Sequence, residues 1–302
     1  MTGGRLMVTG ANGFVGMIAV PLLVAAGYDV HAVVRPGTSG KHAVTTHECD
    51  LTDIDALDDL CDTVRATHLM HLAWCTGIRE HKTSRENLRW VAAGARLLDA
   101  FRRNGGSRVV MAGTYAEYGR HDGTCYEDTP AEPAFLYATA KASLSSLALA
   151  YGEAAGFPVT WARLFVLYGP TEPPVRLIPQ IATVLAQGLP FETTQGTQIR
   201  DFIHVRDAAS ALALLLDAGH HGVANVGTGV GRAVRDVVTA VSTQLGRDEL
   251  VRFGARPLPA EESPYQVADP ATLRALGWTA SIPFEDGLRE EVERIAAAAS
   301  AR

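Results

Sequence analysis

Short apolar runs alternate, along the first half of the chain, with longer segments in which apolar residues recur every three or four positions. The short runs, which are typical of buried strands, lie at 6–8, 29–34, 68–73, 108–112 and 159–166. The longer segments, which predict helices, lie at 14–24, 53–64, 84–103 and 134–155. Residues 47–51 mark the end of one further strand. Strands that alternate with helices predict a doubly wound parallel α/β sheet.

Two stretches of this half lack both patterns and are predicted as loops. They are residues 74–83, which include Gly77, and residues 115–133. Beyond Tyr168-Gly169-Pro170 the prolines cluster and the elements become shorter and mixed. We therefore expect a smaller mixed α/β lobe at the carboxyl-terminal end. Ligands of open α/β sheets bind outside the carboxyl ends of the strands, so this lobe would close over a ligand.

A glycine-rich turn, Gly10-Ala11-Asn12-Gly13-Phe14-Val15-Gly16, joins the first predicted strand to the first predicted helix. Glycines let the backbone turn tightly and approach a ligand, and a helix that begins there points free N–H groups at it. A dinucleotide pyrophosphate satisfies both features. The alternative is an ordinary tight turn. With the strand and helix on either side, we favour a Rossmann domain over residues 1–167, to which 201–228 return. The substrate-binding lobe would comprise residues 168–200 and 229–302.

Composition narrows the class of protein. The chain has 302 residues, of which 47% are hydrophobic and 20% charged, and a net charge of −6. No basic run exceeds two residues, which argues against a nucleic acid partner, and no apolar run is long enough for a membrane span. Four cysteines form no C-x-x-C pair, so we expect reduced thiols and no metal site. Because the first strand starts almost at once, we expect no signal peptide, and the reduced thiols indicate a cytoplasmic protein.

Tyr137 and Lys141 lie four residues apart in a predicted helix, and therefore on one helix face. An ammonium beside a phenol favours the phenolate and lowers the tyrosine pKa, which would let Tyr137 transfer protons near neutral pH. The alternative is a surface Tyr/Lys pair. The glycine turn in the same chain favours the catalytic interpretation.

Taken together, these motifs resemble those of the extended short-chain dehydrogenase/reductase family, the NAD(P)-dependent nucleotide-sugar epimerases, dehydratases and ketoreductases. The matching pieces, in chain order, are Gly10–Gly16, Asp50-Leu51, His71-Leu72-Ala73, Thr114…Tyr118-Gly119, Tyr137–Lys141, Arg163…Tyr168-Gly169-Pro170 and Arg200–Asp207. Each motif is weak alone, and their combination is specific.

The resemblance implies a role for each matching residue. Tyr137 would be the acid/base at the sugar oxygen, Thr114 would hydrogen-bond the same oxygen, and Lys141 would hold the nicotinamide ribose and tune Tyr137. Asp50 would accept a hydrogen bond from the adenine amino group. The implied cofactor-binding residues are Gly10, Asn12, Gly13, Phe14, Val15, Gly16, Arg35, Asp50, Leu51, Leu72, Ala73, Tyr137, Lys141 and Leu164. The implied substrate-binding residues are Thr114, Tyr115, Val166, Arg200 and Arg256.

The resemblance places Arg200 on the substrate pyrophosphate, where a guanidinium fork suits paired phosphate oxygens. The alternative is a structural ion pair with Asp201 or Asp207. Arg256 resembles a second phosphate-side arginine, and His204 is expected to be structural.

Two departures from the family pattern bear on the reaction. Dehydratases follow the catalytic threonine with an Asp-Glu pair, where this chain has Tyr115 and Ala116. Glu117 comes one residue late and, if the strand continues, faces the other way, which argues against dehydration. Many members have an asparagine where this chain has Val166, so one substrate contact is missing.

The end of the second strand bears on the cofactor. NAD-preferring folds place an acidic residue there, whereas this strand ends in Val34-Arg35-Pro36, and no carboxylate follows before Glu48. We therefore expect NADP(H), with Arg35 on the 2′-phosphate, and NAD(H) as the alternative. The sequence thus favours an NADP(H)-dependent reductase of a nucleotide-linked 4-keto sugar. The alternatives are an NAD-dependent nucleotide-sugar 4-epimerase and a dinucleotide-sensing protein without turnover.

Residues 84–103 and 134–155 carry apolar side chains on more than one helix face, for example Leu144, Leu147, Leu149 and Tyr151. One face must cover the sheet, and the other could cover its symmetry mate. We therefore expect a homodimer.

Overall fold

The computed structural model describes residues 3–75, 80–259 and 262–300. Gly77 of the first predicted loop lies outside these ranges. Within them, seven parallel strands form the larger sheet: β1 (Arg5–Thr9), β2 (Asp29–Val34), β3 (Thr45–Glu48), β4 (His68–His71), β5 (Arg108–Thr114), β7 (Val159–Leu164) and β11 (Gly222–Val226). Their order is β11-β7-β5-β4-β1-β2-β3. The chain thus winds outwards in two directions from the β1/β4 boundary.

Helices cover both faces of this sheet. On one face lie α1 (Gly16–Ala25) and α6 (Val205–Ala218). On the other lie α2 (Ala56–Val64), α3 (Glu86–Arg103) and α4 (Leu136–Ala155). Because successive strand residues point to opposite faces, Leu6 and Val8 of β1 join the core under α1, whereas Met7 joins the core under α3. The predicted doubly wound parallel sheet is confirmed.

The second part of the chain forms the smaller lobe. Its sheet contains β6 (Asp122–Cys125), β8 (Val166–Tyr168), β10 (Ile199–His204), β12 (Gly231–Ala233) and β14 (Tyr265–Ala268). A separate parallel pair contains β9 (Phe191–Thr193) and β13 (Val251–Phe253). The helices are α5 (Leu177–Ala186), α7 (Val234–Leu245), α8 (Ala271–Ala275) and α9 (Phe284–Ser300). A third apolar core lies among α5, α7 and α9. The expected mixed lobe is confirmed.

The chain passes from the larger to the smaller sheet at Phe165. We predicted one strand over 159–166, but β7 ends at Leu164 and β8 begins at Val166. The Phe165 N–H donates to the Val226 carbonyl at 3.0 Å, and Val166 pairs with Phe202 of β10. Leu164 and Val166, two residues apart, therefore belong to different sheets.

The loop predicted over residues 115–133 is partly wrong. It contains a 3-10 turn, Tyr115–Tyr118, and the strand β6, which pairs with β14. Sequence patterns miss β6 because Asp122-Gly123-Thr124-Cys125 has no apolar alternation.

Segment 201–228 divides between the two parts of the fold. Residues of α6 pack in the α1 core and β11 pairs with β7, whereas β10 belongs to the smaller sheet. The domain boundaries stay a prediction. Among the described residues, no helix is long and apolar enough to cross a bilayer.

Candidate functional site

A single cleft of about 1450 Å³ follows the carboxyl ends of the parallel strands. Every residue that we predicted to bind the cofactor lines it, as do Thr114, Tyr115, Val166 and Arg256 of the predicted substrate residues. Arg200 is the exception. Motifs that are far apart in the sequence therefore meet at one surface, as the rule for open α/β sheets requires.

The glycine turn has the geometry of a phosphate site. Gly10 has φ +71°, and a Cβ there would lie 2.8 Å from the Ala73 nitrogen. A Cβ at Gly16 would lie 2.3 Å from the Gly10 carbonyl oxygen. Among the described residues no side chain caps the start of α1. A helix start without a cap and a backbone open to close approach fit a dinucleotide pyrophosphate.

Asn12 ties the turn to the loop that follows β2. Its amide nitrogen donates to the Ser39 carbonyl at 3.0 Å, and its oxygen accepts from the Lys41 N–H at 3.1 Å. In the same loop the Gly37 N–H donates to the Glu48 carboxylate at 2.9 Å. A carboxylate that follows Arg35 in sequence thus folds back onto the loop that Arg35 begins, a contact that the sequence interpretation of the cofactor site missed.

Asp50 lines the same cleft as Arg35. One carboxylate oxygen accepts hydrogen bonds from the Thr52 N–H at 2.9 Å and from its hydroxyl at 2.8 Å. These bonds lower the pKa of Asp50, and the Arg35 charge helps to lower it. The carboxylate therefore stays ionised, and its second oxygen can accept from a donor such as an adenine amino group.

Thr114, Tyr137 and Lys141 all line the cleft. Thr114 ends β5, and the other two lie in the first turns of α4. Burial raises the pKa of Tyr137 to about 12, and the neighbouring Thr114 side chain opposes this change. Burial lowers the pKa of Lys141 to about 7.

The predicted lowering of the Tyr137 pKa by Lys141 is not what the structure shows. The Lys141 ammonium donates to the Ala112 carbonyl at 2.7 Å and lies 3.7 Å from the centroid of the Trp74 ring. Burial instead dominates the pKa of the phenol. Beneath Lys141, the His71 Nδ1 lies 2.8 Å from the Thr9 hydroxyl, and burial lowers the pKa of His71 to about 3. His71 is therefore neutral.

Arg200 is buried and engaged within the smaller lobe. Its guanidinium forms an ion pair with Glu262 and donates to the carbonyls of Ile199 and Ser263, both at 2.7 Å. Its partner is thus neither Asp201 nor Asp207. Asp201 instead accepts from Thr228, Gly229 and Ala268. Glu262 and Ser263 line the cleft in its place.

The substrate side of the cleft is largely apolar and aromatic. The rings of Tyr115 and Phe165 stack at 5.7 Å, next to Val166. Arg256 is exposed there. His204, expected to be structural, accepts from the Arg206 N–H at 3.2 Å and caps α6.

Sequence reasoning missed several cleft residues, namely Trp74, Phe135, Glu172 and Arg176. Segment 171–176 reaches the glycine turn, because the Thr171 hydroxyl donates to the Phe14 carbonyl at 3.3 Å and Arg176 lies 5.9 Å from the Phe14 ring. Burial raises the pKa of Glu172 to about 8. The proline cluster that follows Tyr168 was the available signal for a segment folded over the cleft.

A model of the NAD dependent epimerase/dehydratase family matches residues 6–227. The chain belongs to this family. A UDP-glucose 4-epimerase of Corynebacterium glutamicum is 31% identical to it, over 96% of this chain and 94% of the relative. This membership confirms the resemblance to the extended short-chain dehydrogenases/reductases and makes the chain an enzyme of the nucleotide-sugar epimerase and dehydratase class.

Solved structures of the family have the same fold. The UDP-glucose 4-epimerase of Thermus thermophilus, in complex with NAD, has a TM-score of 0.86 at 29% identity, with 97% of this chain and 99% of that chain covered. DesIV, a dTDP-glucose 4,6-dehydratase from Streptomyces venezuelae with NAD bound, has a TM-score of 0.87 at 27% identity, with 97% of each chain covered. Both relatives hold NAD, whereas we expected NADP(H) from the sequence.

Proposed function

We propose that this protein is an NAD-dependent nucleotide-sugar 4-epimerase. The observation that carries the proposal is that Thr114, Tyr137 and Lys141 line the same cleft as the glycine turn, with Tyr137 and Lys141 on one face of α4. Besides the hydride carrier, epimerisation needs one acid/base group, and a phenol that takes and returns a proton can supply it. The 4-epimerase relatives at 31% and 29% identity support this choice over the reductase that we favoured from the sequence.

Dehydration requires a further acid/base group. Tyr115 and Ala116 stand where dehydratases have their acidic pair, and Glu117 points away from the cleft into the protein, with no exposed surface. A carboxylate buried in this way cannot reach a sugar. This burial supports epimerase or reductase chemistry over dehydratase chemistry.

NAD, when bound, supplies the hydride acceptor and donor. We assign its pyrophosphate to the turn Gly10–Gly16, its adenine to Asp50 and its nicotinamide ribose to Lys141. Tyr137 would accept the proton of the sugar 4-hydroxyl and later return it, while the Thr114 hydroxyl donates to the same oxygen and stabilises negative charge there.

The sugar pocket suits a ring that must present two faces. The side chains of Val166 and Phe165 offer no hydrogen bonds that would hold a hexose in one orientation, and the Tyr115 ring stacks on Phe165. We assign the nucleotide diphosphate to the smaller lobe, with Arg256 as an exposed cation at the cleft. The roles of Arg200 and Arg256 in phosphate binding stay predictions.

The contact of Glu48 with Gly37 supports NAD over NADP. A 2′-phosphate beside Arg35 would approach the Glu48 carboxylate, which holds the Gly37 N–H at 2.9 Å. Like charges at this range repel. The second candidate, a reductase that uses NADPH, is favoured by one observation: Arg35 is exposed and lines the same cleft.

One experiment separates the two candidates. The purified protein is assayed for bound dinucleotide by acid release, and is then incubated with UDP-glucose, UDP-galactose and dTDP-glucose without reductant. Tightly bound NAD and interconversion of the C4 epimers are expected. Release of no dinucleotide, together with NADPH consumption on a nucleotide-linked 4-keto sugar, would establish the reductase instead. Tyr137→Phe serves as the inactive control in both assays.

A further inference from the structure

Glu117 lies directly beneath the catalytic threonine. Its carboxylate accepts from the Thr114 N–H at 2.8 Å, from the Trp161 indole N–H at 2.9 and 3.0 Å, and from the Arg163 Nε at 2.9 Å. Glu117 has 0% and Arg163 has 6% of its side chain exposed. Burial raises the pKa of Glu117, and the Arg163 guanidinium opposes this change. Because each of these partners donates, the site is built for the ionised carboxylate.

The strand register creates this arrangement. In the β5–β7 pair, Gly113 lies opposite Arg163 and Met111 opposite Trp161, so both β7 side chains face the end of β5. A Cβ at Gly113 would lie 2.3 Å from the Trp161 Nε1 and 2.8 Å from a Glu117 oxygen. Gly113 therefore leaves the space in which the carboxylate and the indole meet.

The turn that follows β5 sets the direction of the Thr114 hydroxyl. Thr114 and Glu117 form a capping box: the Thr114 oxygen accepts from the Ala116 N–H at 3.3 Å, while Glu117 accepts from the Thr114 N–H. A hydroxyl that accepts one hydrogen bond can still donate its own hydrogen, and the bond from Ala116 fixes the Thr114 oxygen in the cleft wall that also holds Tyr137.

We propose that Glu117 is a positioning residue of the reaction, whose buried carboxylate aims the Thr114 hydroxyl at Tyr137 and whose charge faces the Lys141 ammonium through Trp161. The Lys141 nitrogen lies 5.8 Å from the centroid of the Trp161 ring. This inference rests on the proposed function, since it gives Glu117 its role through Thr114, Tyr137 and Lys141.

The charges around the three catalytic groups agree with this role. The Glu117 charge raises the pKa of Lys141, against the larger effect of burial, and it also raises the pKa of Tyr137. His71 adds no positive charge near Lys141 because its own pKa is lowered to about 3. Other charged and titratable groups that face this set are Arg163, beside Glu117, and Arg176, Tyr115 and His81, near Tyr137.

The test is a double-mutant cycle of Glu117→Gln and Thr114→Val, measured as kcat and KM of the epimerase reaction. We expect E117Q to lower kcat by roughly tenfold to a hundredfold, the range of a lost charged hydrogen bond, with little change in KM. In the T114V background the same substitution should cost less than about threefold, because the two residues act as one unit. Equal losses in both backgrounds would overturn the inference.

A pH profile separates positioning from a merely structural role. Without the Glu117 charge, Lys141 loses its proton at lower pH, so the alkaline limb of kcat should move to lower pH in E117Q. In the Lys141→Arg background this limb should not move, since arginine does not titrate there. An alkaline limb in E117Q that matches the wild type would contradict the proposed effect of the Glu117 charge on Lys141.

Asp207→Asn is the matched control, because Asp207 is also a buried carboxylate held by hydrogen bonds, here from Ser281 and Ile282. This control variant should lower thermal stability without changing the alkaline limb of kcat.

If E117Q does not fold, Trp161→Phe removes one donor to Glu117 and keeps the Glu117 charge. An unchanged kcat in Trp161→Phe would overturn the inference. If Tyr137→Phe keeps full activity, the proposed function itself fails, whatever E117Q does.

Discussion

The Lys141 ammonium lies over the face of Trp74, 3.7 Å from the ring centroid. Trp74 is itself held by a hydrogen bond from its indole N–H to Asn87 at 2.9 Å, and Asn87 is buried. An ammonium over an indole face is stabilised by roughly 0.5–2 kcal/mol. The chain thus holds its expected ribose-binding lysine in place with an aromatic side chain that no motif indicated.

Trp74→Leu should weaken NAD binding by about 2- to 30-fold, because Lys141 loses the indole that holds its ammonium in the cleft. Isothermal titration calorimetry on protein stripped of nucleotide measures the effect. Trp90→Leu is the matched control, since Trp90 lies 6.0 Å from Trp74 and also lines the cleft. If both variants lose affinity equally, the contact with Lys141 is not the cause.

Tyr137→Phe should reduce kcat by roughly 10²–10⁴-fold, the contribution of a positioned acid/base group, and leave NAD affinity within about threefold. The phenyl ring keeps its edge contacts with Trp74 and His81, so the cleft retains its shape. Steady-state kinetics and NAD titration give the two quantities. Activity within about tenfold of the wild type would refute the acid/base role.

The sequence predicted the local features of the site and missed its long-range pairs. The glycine turn and the Tyr137/Lys141 spacing are visible because they depend on neighbouring residues alone. The partner of Glu117 is Arg163, and the partner of Arg200 is Glu262, 46 and 62 residues away. Such pairs depend on strand register and on loop paths that a periodic pattern does not contain.

The sequence pattern around Arg35 also missed a contact with a residue distant in sequence, the one between Glu48 and Gly37. The sequence shows no carboxylate between Arg35 and Glu48, but β3 runs parallel to β2 and places Glu48 itself opposite Val34. Its carboxylate thereby reaches the Gly37 N–H. Sheet topology, rather than separation along the chain, decides which charges surround Arg35.

Arg200→Ala and Arg256→Ala should have different effects, although both were assigned to the substrate. Arg200 is 4% exposed and pairs with Glu262, so its loss should lower the melting temperature by several degrees and raise KM through the displaced 262–263 segment. Arg256 is exposed, so its loss should raise KM for the nucleotide sugar with no change in melting temperature. Kinetics and calorimetry distinguish them. An unchanged melting temperature in Arg200→Ala would exclude the structural role.

The homodimer stays a prediction, now with defined positions. Leu88 on α3 is 60% exposed and Leu147 on α4 is 50% exposed. Exposed apolar side chains on the two helices that cover the sheet fit a symmetric interface. Leu147→Glu should therefore convert the dimer to a monomer in light scattering at micromolar concentration. Leu189→Glu, at a position 51% exposed in the loop after α5, is the control. A wild-type mass near 32 kDa would refute the dimer.

The choice between NAD and NADP should depend on Glu48. Its carboxylate holds the Gly37 N–H at 2.9 Å, in the loop that also carries the exposed Arg35. Removing the charge with Glu48→Gln leaves an acceptor for that N–H and takes away the repulsion of a 2′-phosphate. We expect this variant to bind NADP about tenfold more tightly than the wild type, with NAD affinity nearly unchanged, because one close like-charge contact is worth about a factor of ten. Arg35→Ala should remove that gain in the double variant, since the guanidinium is then the cation that meets the phosphate. Competitive titration of both nucleotides measures the ratio, and Glu192→Gln, an exposed change on β9, is the control. A wild-type protein that already prefers NADP would return the assignment to the reductase, and would show that Arg35 outweighs Glu48 in the folded protein.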